Sequence, residues 1–166
     1  MKKLLIALAI LPMLQATAAE AATDWTPYLK PMMLGCNYPS PNDKLPKAYK
    51  ASVTSKKKRV DNTNEIDGYG EEITTYYLKN STAFGKPISK IEQLQGYEWG
   101  HLKVYFKDSS FTALRPQFKL PNRSDPDYEG MVVEKNNASG YEIQGIGYTV
   151  LEFNTKEKSI SCFSGL

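Results

Sequence analysis

The sequence is poor in the residues on which most enzyme chemistry is built. Among 166 residues there is one histidine, His101, and two cysteines, Cys36 and Cys162. Catalytic and structural zinc sites recruit several His or Cys ligands, which one imidazole and one cysteine pair cannot supply. There is no C-x-x-C spacing, so a thioredoxin-like redox motif is excluded. No serine sits in a G-x-S-x-G elbow, and Ser139-Gly140 and Ser164-Gly165 are isolated pairs. A Ser-His-Asp or Cys-His site would have to be built on His101 alone, which reads as a strand residue beside Gly100. Gly145-Ile146-Gly147 is a bare G-x-G in a strand-like stretch and no phosphate cradle. Neither a cofactor nor a metal site is expected.

Carboxylates offer little more. Glu71 and Glu72 are adjacent, so a strand would send them to opposite faces. Asp125 and Asp127 flank Pro126 in a predicted loop, and the separation of Glu92 from Glu98 in space is not fixed by their spacing.

Long apolar segments are missing except at the start. Lys2 and Lys3 precede an apolar run from Leu4 to Leu14, broken only by Pro12, and Ala16-Thr17-Ala18 fits a small-x-small cleavage pattern. The run is signal-sized and shorter than the roughly 20 residues that span a bilayer. A buried N-terminal helix is the alternative, but no polar residue interrupts the run to make an amphipathic face. Cys36 is too far from the run for a lipid anchor. The expectation is a secretory leader over 1–18, cleaved near Ala18, and one globular domain over 19–166 in the periplasm or outside the cell, with no membrane span. Removing Lys2 and Lys3 leaves 19 basic against 18 acidic residues, a net charge of about +1. That balance calls for no nucleic-acid partner.

An even cysteine pair in an exported chain reads as a disulfide, here Cys36 to Cys162, with a redox pair or a nucleophilic thiol as the alternatives. Closing so long a loop is worth at most about 4–5 kcal/mol of unfolded-state entropy.

Along the chain, 23–34 reads as a helix capped by Thr23 or Asp24, with Trp25, Tyr28, Leu29 and Met32 on one face and Pro31 opposing regularity. Residues 37–70, punctuated by Pro39, Pro41 and Pro46, read as the least regular part. Within them Lys56-Lys57-Lys58-Arg59 predicts a solvated turn between short strands, or a contact patch for an anionic partner. Asp61, Asn62, Asn64, Glu65 and Asp67 are oxygen-rich but lack EF-hand spacing. Ile73–Leu78 is β-branched and aromatic. Residues 84–94 predict a kinked edge strand because of Gly85 and Pro87. Leu102, Val104 and Phe106 alternate with Lys103, Tyr105 and Lys107. Asp108-Ser109-Ser110 predicts a short helix through Phe111 and Leu114, ending near Pro116. A strand starts at Met131, and Asn136–Gly140 is a turn cluster. At the C-terminus a four-residue turn would pair Phe153 with Ile160 and Leu151 with Cys162, all inward. Asn80-Ser81-Thr82, Asn122-Arg123-Ser124 and Asn137-Ala138-Ser139 match the glycosylation triplet, which matters only in a eukaryotic host. The class expected is α+β: a mainly antiparallel β-sheet, one or two short helical segments packed on one face, and a single disulfide.

The most suggestive feature is a row of period two: Tyr97, Trp99, His101, Lys103 and Tyr105. In a strand over 97–105 all five share the face opposite Leu102, Val104 and Phe106. Aromatic and basic residues on a solvent face have the composition of protein interfaces. The plainer reading is that another element covers this face, or that Trp99 ends the strand. Ser139-Gly140 also shares its first residues with the S-G-x-x-Y signature of small periplasmic lysozyme inhibitors, but Ile143 stands where that pattern has Tyr, and the match assigns no family.

Together these features predict a binding protein and not an enzyme. The leading expectation is an inhibitor or immunity-type protein that neutralises another macromolecule of the envelope, its partner a protein. A small-ligand or glycan-binding module is the second expectation, and a small carboxylate-dependent hydrolase the third.

Overall fold

Alternating apolar and polar residues drive most of the chain beyond residue 52 into strands. The computed structural model describes residues 21–40, 43–66, 69–108, 110–122 and 126–166, and the side chains of these except 61–66, 69 and 127. The expected leader, the oxygen-rich run Asp61–Asp67, the Asp125/Asp127 pair and the Asn122-Arg123-Ser124 triplet fall wholly or partly outside that description. Strand β1 is Thr23–Asp24, β2 Val53–Ile66, β3 Tyr69–Ala83, β4 Lys86–Gln95, β5 Trp99–Phe106, β6 Val132–Asn137, β7 Gly140–Gln144, β8 Tyr148–Asn154 and β9 Ser159–Gly165. They form one nine-stranded sheet in the order β1-β3-β4-β5-β9-β8-β7-β6, with β2 also paired to β3. Every pairing of these strands is antiparallel except β1 with β3. The sheet is therefore mixed. The parallel pair is two residues long and joins positions far apart in sequence, so no local pattern announces it.

Side chains on one face of this sheet build the core. Ile88 and Ile91 of β4, Leu102, Val104 and Phe106 of β5, Tyr141 and Ile143 of β7, Leu151 and Phe153 of β8, and Ile160 and Cys162 of β9 are buried together. Trp25, Leu29, Met32, Phe111, Leu114 and Phe118 join them from outside the long strands. A chain of edge-on rings runs through the centre: Phe118 meets Phe84 at 5.1 Å and Phe153 at 5.2 Å, and Phe111 meets Phe106 at 5.4 Å. Burying an aliphatic side chain such as Leu29 or Met32 contributes roughly 1.5–3 kcal/mol.

Several elements differ from the sequence expectation for identifiable reasons. Residues 23–34 give a four-residue α-helix, α1 (Thr26–Leu29), followed by a 3-10 turn over Lys30–Met33. Pro31 has no amide proton to continue the α pattern. Asp24 still acts near the start: its Oδ1 accepts from the Thr26 amide at 2.9 Å. A second four-residue helix, α2 (Lys47–Lys50), precedes β2. Strand β2 runs straight through Lys56–Arg59, where a turn was expected. Its pairing against Tyr76, Thr75, Thr74 and Ile73 sends Lys56 and Lys58 to one face and Lys57 and Arg59 to the other. The kink expected inside 84–94 is instead a two-residue hairpin turn, with Phe84 at φ 52 and Gly85 at φ 74. Phe84 tolerates this backbone because its ring is buried against Phe118. Strand β4 then lies inside the sheet, and Pro87, its second residue, pairs with Thr82. After Asp108 there is no α-helix. The segment turns at Phe111 and forms a 3-10 turn over Arg115–Gln117 that contains Pro116. Gly145–Gly147 is the bend between β7 and β8, not strand. The C-terminal hairpin follows the expected register, Leu151 opposite Cys162 and Phe153 opposite Ile160.

Cys36 and Cys162 are disulfide-bonded, with Cα atoms 5.2 Å apart and 126 positions between them in sequence. Gly35 and Cys36 both take positive φ, 65° and 59°, which turns the N-terminal segment into the core face. A side chain at Gly35 would come within 2.9 Å of Pro121 Cβ, so glycine is required for space as well as for conformation. Trp25 is anchored separately: its indole Nε1 donates to Ser52 Oγ at 3.1 Å, and Ser52 donates to the Tyr49 carbonyl at 2.9 Å.

Two stability measurements test this account. The double variant Cys36→Ala/Cys162→Ala should lose about 2–5 kcal/mol in urea denaturation, and an unchanged midpoint would show that the bridge does not hold the N-terminal segment. Ser52→Ala strands a buried indole N–H and should cost about 1–3 kcal/mol, with Ser52→Thr losing less.

Candidate functional site

The register of β5 decides which side chains reach the outer face. Leu102, Val104 and Phe106 are buried, and Trp99, His101, Lys103 and Tyr105 alternate with them, each half-buried. Four members of the predicted row therefore share one face. Tyr97 does not belong to the strand: it lies in the bend between β4 and β5 and is 52% exposed.

Neighbouring strands complete the face. His101 lies between Leu94 and Phe163, Lys103 between Glu92 and Ser161, and Tyr105 between Lys90 and Ser159. Trp99 faces Gly165, and a side chain there would come within 2.9 Å of the Trp99 Cβ. A side chain at Gly96 would reach within 2.5 Å of the indole Nε1. Two glycines thus make the room the indole occupies. Across the strands the Trp99 and Phe163 rings lie 5.8 Å apart, and Tyr148 meets Phe163 edge-on at 6.0 Å. Trp99, Phe163 and Tyr148 form an aromatic ridge over β5, β9 and β8. The sequence reading missed Phe163 and Tyr148. The signal was available: residues adjacent to inward Cys162, and odd in register with Leu151, must face outward.

A depression of about 360 Å³ lies beside this ridge, lined by His101, Lys103, Tyr148, Val150, Glu152, Ser161 and Phe163. A second cleft of about 590 Å³ opens at the end of the strands, where Trp99 and Tyr148 meet Glu98, Glu129, Ile146 and Leu166. Ile146 is 98% exposed at its rim.

The charges on the face are paired. Lys103 Nζ lies 2.5 Å from Glu157 of the β8–β9 turn. Burial is the largest single influence and would lower the Lys103 pKa, but the hydrogen bond to Glu157 together with the nearby Tyr105, Glu157 and Glu92 charges outweighs it and holds the ammonium above its usual value. The same bond holds Glu157 below the usual carboxylate range. Lys90 sits 3.8 Å over the Tyr105 ring, and burial, with Glu92 nearby, pushes the Tyr105 phenol up. His101 Nε2 lies 3.4 Å from Glu92 Oε1. The imidazole's hydrogen-bonding pull keeps Glu92 below the usual carboxylate range, against the opposite effect of burial. The contact is long, and Nε2 makes no well-formed hydrogen bond in this geometry.

Both cysteines are held in the disulfide, and His101 is turned to Glu92. Among the described residues no group of three or more His, Cys, Asp or Glu gathers in metal-binding range. Glu71 and Glu72 follow one another in β3 and so face opposite sides, with Glu72 joined to Lys58 at 2.5 Å. Elsewhere in the basic run Lys56 lies over the Tyr76 ring and Lys57 over the Tyr77 ring.

The Glu92–His101 contact gives a pH test. A carboxylate whose folded pKa lies below its unfolded value contributes stability above the unfolded pKa and loses it as pH falls through the folded one. Denaturation free energies measured downward from about pH 7 should therefore fall less steeply for Glu92→Gln than for the unmodified protein. Parallel curves would show that the contact is not formed in solution.

No family model, curated protein or solved structure matches the chain.

Proposed function

We propose that the chain is an exported binding protein of the cell envelope, of the inhibitor or immunity type, and that it engages another protein through the outer face of β5, β9 and β8. The observation that carries this reading is the ridge of Trp99, Phe163 and Tyr148 standing beside paired charges. Aromatic anchors ringed by polar groups are the usual composition of interface hot spots. The disulfide supports the compartment, since such bonds persist in oxidising surroundings, and the apolar leader-like start supports export. On this reading Trp99 and Phe163 anchor the partner, while His101, Lys103 and Tyr105 set its register, and Tyr97 touches its edge from the turn. No catalytic role is proposed for any of them.

The glycan-binding reading is favoured by one separate observation. The depression beside the ridge has a ring wall, Tyr148 and Phe163, facing hydrogen-bonding groups on Glu152, Ser161 and Lys103. A sugar ring stacks on such a wall while its hydroxyls meet the polar side.

Affinity capture with the full chain from envelope extract separates the two. The protein reading expects a stoichiometric protein partner whose affinity falls roughly thirtyfold or more with Trp99→Ala or Phe163→Ala. Recovery of no stoichiometric protein under several envelope-stress conditions, with saturable heat on titrating soluble wall fragments, would replace it by the glycan reading.

A further inference from the structure

The opposite face of β2 and β3 carries a feature that the outer face does not use. The segment before β2 folds over this end of the sheet and leaves a cavity of about 450 Å³, lined by Asp43, Lys44, Leu45, Lys50, Val53, Lys56 and Tyr76. Three lysines reach its lining from three places in the chain: the loop before α2, the last residue of α2, and the inner face of β2. Lys56 stands 5.3 Å over the Tyr76 ring. Among the described residues none of these three lysines forms an ion pair, although Lys58, two positions along the same face of β2, is joined to Glu72. Like charges gathered with too few counter-charges repel and destabilise the fold. Three lysines with one aspartate give the cavity a local charge of about +2, complementary to a phosphomonoester, which carries about −1.5 to −2 at neutral pH. The remaining wall is apolar and aromatic, with Tyr76 buried beneath it. A bare anion would leave that wall and most of the volume unfilled, and the size suits a small molecule.

We propose that this cavity binds a phosphomonoester carried on a sugar-sized body, with Lys44, Lys50 and Lys56 holding the phosphate. The body lies against Tyr76, Leu45 and Val53, and Asp43 accepts from its hydroxyl groups. The same chemistry is offered by a soluble sugar phosphate and by the phosphorylated head of an envelope lipid. The site is on the other face of the sheet from Trp99 and Phe163, so it stands or falls independently of the outer-face reading.

The test is a titration of the full chain at low ionic strength with glucose 6-phosphate, glucose and inorganic phosphate, followed by backbone amide NMR shifts. Glucose 6-phosphate should shift amides of residues 43–56 and 76 saturably, and glucose should not. Lys50→Gln/Lys56→Gln should weaken that binding at least tenfold, because two charge-assisted contacts are lost. Lys50→Arg/Lys56→Arg should retain most of it, and Lys156→Gln, a charge change on the far turn, should leave it intact. A vesicle arm separates the sources. Cosedimentation with phosphatidic acid in phosphatidylcholine but not with phosphatidylcholine alone, lost in the double glutamine variant, assigns the lipid head, and sugar-phosphate binding without cosedimentation assigns the soluble ligand. Absence of binding in both arms, or binding undiminished in the double glutamine variant, overturns the site. Equal affinity for inorganic phosphate overturns the role given to Tyr76.

Discussion

Everything in this fold hangs on the pleat of β5. Leu102, Val104 and Phe106 must point inward to close the core, and a one-residue slip would exchange them for His101, Lys103 and Tyr105. Because β4 and β9 flank β5 on its two sides, that single choice propagates. It places Ile88 and Ile91 within, Ile160 and Cys162 within, and Glu92, Lys90 and Phe163 without. The outer face is thus a by-product of core burial. Its side chains are positioned by a rigid sheet, which reduces what ordering them would cost on contact with a partner.

The N-terminal segment has no comparable sheet to hold it. Its attachment is a series of separate devices: the short parallel pairing of β1 with β3, the Trp25–Ser52 hydrogen bond, and the Cys36–Cys162 bridge at its far end. Each fixes a different point along the segment. Between them Leu29 and Met32 enter the core as apolar cover for the strands. Bridge and pleat meet at Cys162, whose inward direction is dictated by Leu151 across the hairpin.

How much of this could be read from the sequence follows from range. Period two is a local property, so β5, the C-terminal hairpin with its register, and the inward cysteine were all legible. So was the shared face of Trp99, His101, Lys103 and Tyr105. Pairing partners are not local. Phe163 and Tyr148 join Trp99 only because β9 and β8 follow β5 in the sheet, an order the chain itself does not spell. Charge misled the reading of β2: four basic residues suggest a solvated turn, yet an edge strand tolerates and uses such charges against unwanted pairing. Phe84 misled in the other direction, since a bulky residue at positive φ is rarely expected in a turn, and here buried ring contacts hold it there. The lysine-rimmed cavity was invisible because Lys44, Lys50 and Lys56 come together only when the segment before β2 folds back.

The two tryptophans have a spectroscopic consequence. Trp25 is sealed in the core, 4.8 Å from the Tyr49 ring beside Lys50, and Trp99 is half-open on the opposite side of the sheet. Their emission should therefore separate by colour and by access to quenchers, a buried blue component and an exposed red one. The protein carries two native optical probes, one registering the integrity of the interior and the end of α2, the other registering whatever settles on the outer face.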